Sequence, residues 1–241
     1  MSDLLSTIEL TGSSAIVFAT LTLLFARAPV ERIRVLLGLV LWFSVVVTLG
    51  ATGALQPEAG IGTPGLGLAV LLPLVILTLL GFGTRIGRAR LEHTTLPVLT
   101  GLHAIRVLGI SFVLLYQAHR LPAPFAPVAG WGDFAIGLTA LPMAFWAARG
   151  GGGARAGLMV WNMLGLADLV AAIGLGATSA PGPIRLFFAE PGSAIMTSLP
   201  WILIPCFIVP TLAFTHLVSF SRLRQAARVE AHDLLVPEIG G

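Results

Sequence analysis

Residues 99–117 read LTGLHAIRVLGISFVLLYQ. The stretch is almost all apolar, yet it carries His103 and Arg106 one helical turn apart. A window of about 20 such residues crosses the hydrocarbon core of a bilayer, roughly 30 Å thick. Whether this arginine lies in lipid or in a soluble core depends on the solvent around the segment, and the rest of the chain supplies that solvent.

The 241 residues are 56% apolar and only 10% charged, with a mean hydropathy of +0.94. A soluble domain is about 25% charged, so this chain lacks the charge to coat a soluble surface. Seven segments are long and apolar enough to span a bilayer: about 10–26, 34–54, 64–83, 97–118, 127–148, 156–177 and 197–219. The connections are short, charged or rich in Gly and Pro, and there is no internal repeat. The expected fold is all-α, a multi-pass membrane bundle of seven transmembrane helices forming one domain over residues 1–219. A short cytoplasmic tail, 220–241, follows. Its stretch SRLRQAARVEAHDLL (221–235) is expected to continue the last helix.

Arginine placement gives an orientation. The chain has 14 arginines and no lysine. Arg27, Arg32, Arg34, Arg85, Arg88, Arg90, Arg149, Arg155, Arg222, Arg224 and Arg228 lie on one side of the seven-span arrangement, against Arg120 and Arg185 on the other. Arginine-rich loops stay cytoplasmic, which places the N-terminus outside and the C-terminus inside. The basic residues flank spans rather than cover one broad face, which argues against nucleic acid. The first span lacks the basic leader of a signal peptide, so it is expected to stay in the mature protein. The lone Cys206 excludes an intrachain disulfide. A lysine-free chain suggests an arginine-biased bacterial genome, and with it the inner membrane.

This topology resembles that of rhodopsins, but a retinal Schiff base requires a lysine amine, which the chain lacks. With no HExxH or GxSxG, an enzymatic role is the less favoured reading.

Charged groups inside a membrane are costly, about 2.5–3.5 kcal/mol for arginine at the helix centre even on the gentlest scale. By helical rise Arg106 lies roughly 14 Å into its span, so it should face inward and meet an anion. His103 shares its face, with Ile110, Val113 and Gln117 continuing the stripe. Asp168, in WNMLGLADLVAAIGLG (161–176), is the expected partner, on a face with Trp161, Gly165, Ala172 and Gly176 and flanked by Asn162. Asp133, in AGWGDFAIGLTALPMAFW (129–146), is a second candidate, either buried or interfacial. Gly130, Gly137 and Ala144 share its face. Span seven carries Pro200, Pro205 and Pro210, and each interior proline frees the carbonyl four residues back. Such carbonyls need a partner from protein or water.

Three functional readings stay open. In the first, Arg106, Asp168, Asn162, Asp133, His103 and Trp161 line the site of a permease- or channel-like protein for a small solute, ion or proton. In the second, His103 and His216 ligate a non-covalent haem b, histidine being a standard axial ligand. In the third, the protein is a non-catalytic accessory or structural subunit. The expected partners are the lipid bilayer, a small solute or ion, and other copies or subunits in a membrane complex. The primary reading requires no cofactor.

Overall fold

The computed structural model describes residues 3–57 and 62–235, with side chains at 7–57 and 62–228. Residues 58–61 of the loop QPEAGIGTPG, the side chain of His232 and the end of the tail lie outside the described residues. The protein is 82% helical, with no strand among the described residues.

Seven helices are long and apolar enough to cross a membrane: Thr7–Phe25, Pro29–Thr52, Gly62–Gly83, Leu96–Gln117, Phe125–Arg149, Gly152–Ser179 and Ile204–Arg228. The first lies within α1 (Asp3–Phe25) and the second is α2 (Pro29–Thr52). The third is α3 (Gly62–Thr78), which ends in a π turn, Leu79–Gly83. A short α4 (Arg85–Glu92) leads to the fourth span: α5 (Leu96–Leu102), a 3₁₀ segment His103–Gly109, and α6 (Ile110–Gln117). α7 (Phe125–Arg149) and α8 (Gly152–Ser179) follow. The seventh span opens with a π turn, Ile204–Ile208, and continues as α9 (Val209–Leu235).

The helices separate into a centre and a periphery. α2, α3 and α7 expose a belt of leucines that includes Leu37, Leu41, Leu68, Leu71, Leu138 and Leu141. The seventh span is enclosed instead, with Phe207, Phe214, Val218, Thr211 and Thr215 fully buried. Helices that bury so little apolar surface against protein are matched to an apolar solvent, and the architecture is consistent with a membrane protein.

The seventh helix departs from the span expected at 197–219. It begins at Ile204, because residues 194–202 form a short 3₁₀ turn (Ala194–Thr197) and further turns. Pro200 disfavours helical backbone at Leu199. Trp201, Ile202 and Leu203 are nonetheless buried. Irregular backbone is tolerated at membrane depth only where protein or water covers it, and here protein does.

The proline rule explains one contact across the bundle. Pro210 has no N–H and frees the carbonyl of Cys206 four residues back. The indole Nε1 of Trp42 donates to that carbonyl at 3.0 Å. Phe207 completes the junction, its ring tilted against Trp42 and Phe18 and edge-on to Phe43, with centroids 4.5, 5.4 and 5.3 Å away. The freed group is thus satisfied by protein, and the same contact fastens α1 and α2 to the central helix.

Candidate functional site

The fourth span is not a regular α-helix where it carries its charge. A 3₁₀ run longer than three or four residues is uncommon and often marks a functional or strained segment. This one is seven residues long. It winds at three residues per turn, so i and i+3 eclipse. The buried residues of the segment are His103, Arg106 and Gly109. The tighter winding also corrects the stripe expected beyond Arg106. Buried positions continue through Phe112 and Val113, while Gln117 faces out, because an α-helical count gives each residue about 100° of turn where a 3₁₀ residue takes about 120°.

Arg106 is 3% exposed and is met by two carboxylates from two helices. Its Nε donates to Asp133 Oδ1 of α7 at 2.6 Å, and its Nη2 donates to Asp168 Oδ2 of α8. Its Nη1 donates to the carbonyl of Gly165 at 3.0 Å and lies 3.2 Å from His216 Nε2 of α9. The expected Arg106–Asp168 pair is therefore one half of a triad. Asp133, left between a buried and an interfacial position, is an inward group whose side chain is 14% exposed. α7 begins at Phe125, so Asp133 lies roughly 12 Å along it by helical rise.

The imidazoles extend the network. A guanidinium only donates, so His216 Nε2 accepts and its Nδ1 carries the proton. Nδ1 then donates to Asn162 Oδ1 at 2.7 Å, and Asn162 Nδ2 donates back to the His216 carbonyl at 3.1 Å. His103 stacks on His216 with ring centroids 4.0 Å apart. Thr215 Oγ1 spends its hydrogen on the Leu212 carbonyl at 2.8 Å, so it accepts from His103 Nε2 at 3.2 Å. His103 Nδ1 is left buried without a partner. Trp161 meets the His103 ring edge-on, 5.6 Å between centroids, and its Nε1 donates to Thr139 Oγ1 at 2.9 Å.

Glycines make this convergence possible. A Cβ on Gly137 would strike the backbone of Arg106 and Val107, one on Gly132 the Asp168 carboxylate, and one on Gly165 the His216 ring. Small residues let membrane helices approach backbone to backbone. Here they bring α7 against the 3₁₀ segment and leave room for the carboxylates.

Every residue singled out from sequence for this site (Arg106, Asp168, Asn162, Asp133, His103, Trp161 and His216) falls in this one cluster. The span expected at 197–219 puts His216 near its inner end. It lies mid-span instead, because the helix starts later and runs further than the apolar run suggests. Sequence reasoning missed Glu9. Ser111 Oγ donates its one hydrogen to the Glu9 carboxylate, whose two oxygens lie 2.9 and 2.8 Å away. A small cavity of about 50 Å³ is lined by Glu9, Arg106 and Asp133 among others. The available signal was an acidic residue beside an apolar run, itself a marker of function in a membrane segment.

The histidines do not fit a shared haem. Two axial ligands must hold the macrocycle between them, whereas these rings stack directly on each other. Both nitrogens of His216 are also engaged, by Asn162 and Arg106. Among the described residues no group of three or more His, Cys, Asp or Glu is placed to hold a metal ion.

Residues 63–224 match the family described as "Domain of unknown function (DUF8737)". The chain belongs to this family. The match takes in spans three to seven, and with them every residue of the Arg106 cluster, but not α1 with Glu9. No curated protein and no solved structure matches the chain.

Proposed function

We propose that this protein is a permease- or channel-like membrane protein that moves a small solute, ion or proton through the Arg106 cluster. The observation that carries the reading is one guanidinium held by two carboxylates from two helices, with one of those carboxylates lining a cavity. A register-fixing ion pair needs one carboxylate per cation. The second leaves the cluster able to take up one proton or one cation without losing its internal contacts. Intramembrane ionisable groups mark ion and substrate pathways. Glu9 and Ser111 extend the polar groups toward one end of the bundle, and Asn162 and His103 extend them toward the other.

The protein is read as one bundle over residues 1–219 with a cytoplasmic tail, N-terminus outside, in a bacterial inner membrane. Other copies or subunits are its expected partners. Reporter fusions at each end test the orientation: an external N-terminus and a cytoplasmic C-terminus are expected, and two ends on one side would overturn it. The transport reading is tested in liposomes with an entrapped pH dye and an imposed pH gradient. Faster dissipation than in empty liposomes is expected, and Asp168→Asn should slow it at least about tenfold, the rate equivalent of one buried charge contact. Dissipation unaffected by Asp168→Asn would remove the cluster from the pathway.

A further inference from the structure

A second cavity, about 170 Å³, is also lined by Asp133. Val70, Phe112, Phe125 and Met196 form part of its wall, with contributions from α3, α6, α7, α8 and the turns before the seventh span. Gly67 and Gly176 lie on the same wall, where larger side chains would fill the space. Among the described residues, Asp133 is the one charged residue lining it. A dry cavity of about 150 Å³ lined by Leu, Ile and Phe takes up benzene, so this space suits a molecule with one ring.

The carboxylate at its edge specifies the rest of the ligand. Asp133 Oδ1 accepts from Arg106. Asp133 Oδ2 has no hydrogen-bond partner among the described residues. The two carboxylates exceed the one guanidinium by a formal negative charge when both are ionised. An unbalanced charge in a low-dielectric interior is costly, and a cationic donor on Oδ2 would balance it. A neutral apolar molecule would fill the cavity but leave both oxygen and charge unanswered.

We propose that this cavity binds a small aromatic amine in its protonated form, the ring seated among Val70, Phe112 and Phe125 and the ammonium donating to Asp133 Oδ2. This rests on the transport reading for its biological sense, since it names the solute class of the same site. Its test involves no flux, so the two can fail separately.

The experiment is calorimetric titration of the purified protein in nanodiscs with benzylamine and with toluene. The neutral ring reports cavity filling, and the difference between the two reports the carboxylate. Benzylamine should bind at least about tenfold tighter, the scale of one charge-assisted hydrogen bond. Asp133→Asn should remove that preference while toluene still binds. Gly67→Leu should abolish both. A Cβ at Gly67 meets nothing within 4 Å, so this variant fills the cavity without disturbing the ion cluster. It keeps the test decisive if Asp133→Asn does not fold, and it also subtracts partition into the lipid. Benzylamine binding no tighter than toluene would assign the excess negative charge to a proton and overturn the proposal. So would binding that survives Gly67→Leu.

Discussion

α2 and the seventh span are both apolar helices of similar length, yet 11% of the apolar stretch of the one is buried in the protein and 78% of the other. α2 is the more hydrophobic of the two and lies at the periphery; the seventh span, with its threonines, His216 and prolines, is central. In water the order would be reversed. Lipid tails are as apolar as leucine, so burying leucine against protein gains little, and helices associate through packing and polar contacts instead. A polar residue in a span therefore points to the interior, and an unbroken run of leucine and valine points to lipid.

The largest effect should come from breaking the centre. Arg106→Ala strands two inward carboxylates, and thermal unfolding in detergent should show a loss of about 3–5 kcal/mol. The triple variant Arg106→Met, Asp133→Asn, Asp168→Asn removes all three charges and should be more stable than Arg106→Ala alone. A triple variant that unfolds more readily than the single one would show that these charges are not paired.

Gly137→Ala comes next, since the added methyl group meets the backbone of Arg106 and Val107. Overpacking of this kind costs about 1–3 kcal/mol. Unchanged unfolding would mean that α7 does not press on the 3₁₀ segment. Trp42→Phe keeps the aromatic packing but removes the donor to Cys206. A carbonyl left without its partner costs about 1–3 kcal/mol, toward the lower end for an acceptor with a second lone pair. The lipid-facing neighbour Leu41→Phe is the control and should be neutral. Equal effects for the two would show that Trp42 serves only as bulk.

The smallest effect belongs to the periphery. Gly38 lies within α2, and a Cβ there meets nothing within 4 Å. Gly38→Ala should stabilise by up to about 1 kcal/mol through helix propensity alone. A loss at this position would reveal a partner covering α2 and would narrow the contrast between the two regions.

The span count was legible because a bilayer imposes one length and one polarity on every segment that crosses it. Arg106, Asp133, Asp168, His103, Asn162 and Trp161 were legible for the related reason that each is a polar or amphipathic group inside an apolar run. The pairing of Arg106 was legible only in part. Asp168 follows from depth along parallel spans, but adding Asp133 needed the rotation of α7, which its glycines allow and no periodicity encodes. The start of the seventh helix was hidden because SLPWILI is as apolar as the helix it precedes, and proline's effect depends on whether neighbouring groups can cover the turn.

The sequence by itself determined the solvent, the number of spans and which side chains could not face lipid, because these follow from the transfer cost of each residue taken alone. Only the tertiary structure decided that two carboxylates share one guanidinium, that the histidines stack instead of straddling a cofactor, and that Asp133 lines two cavities. Those are relations among four helices, set by rotation and close approach. The 3₁₀ winding at His103–Gly109 and the glycines of α7 and α8 fix them together.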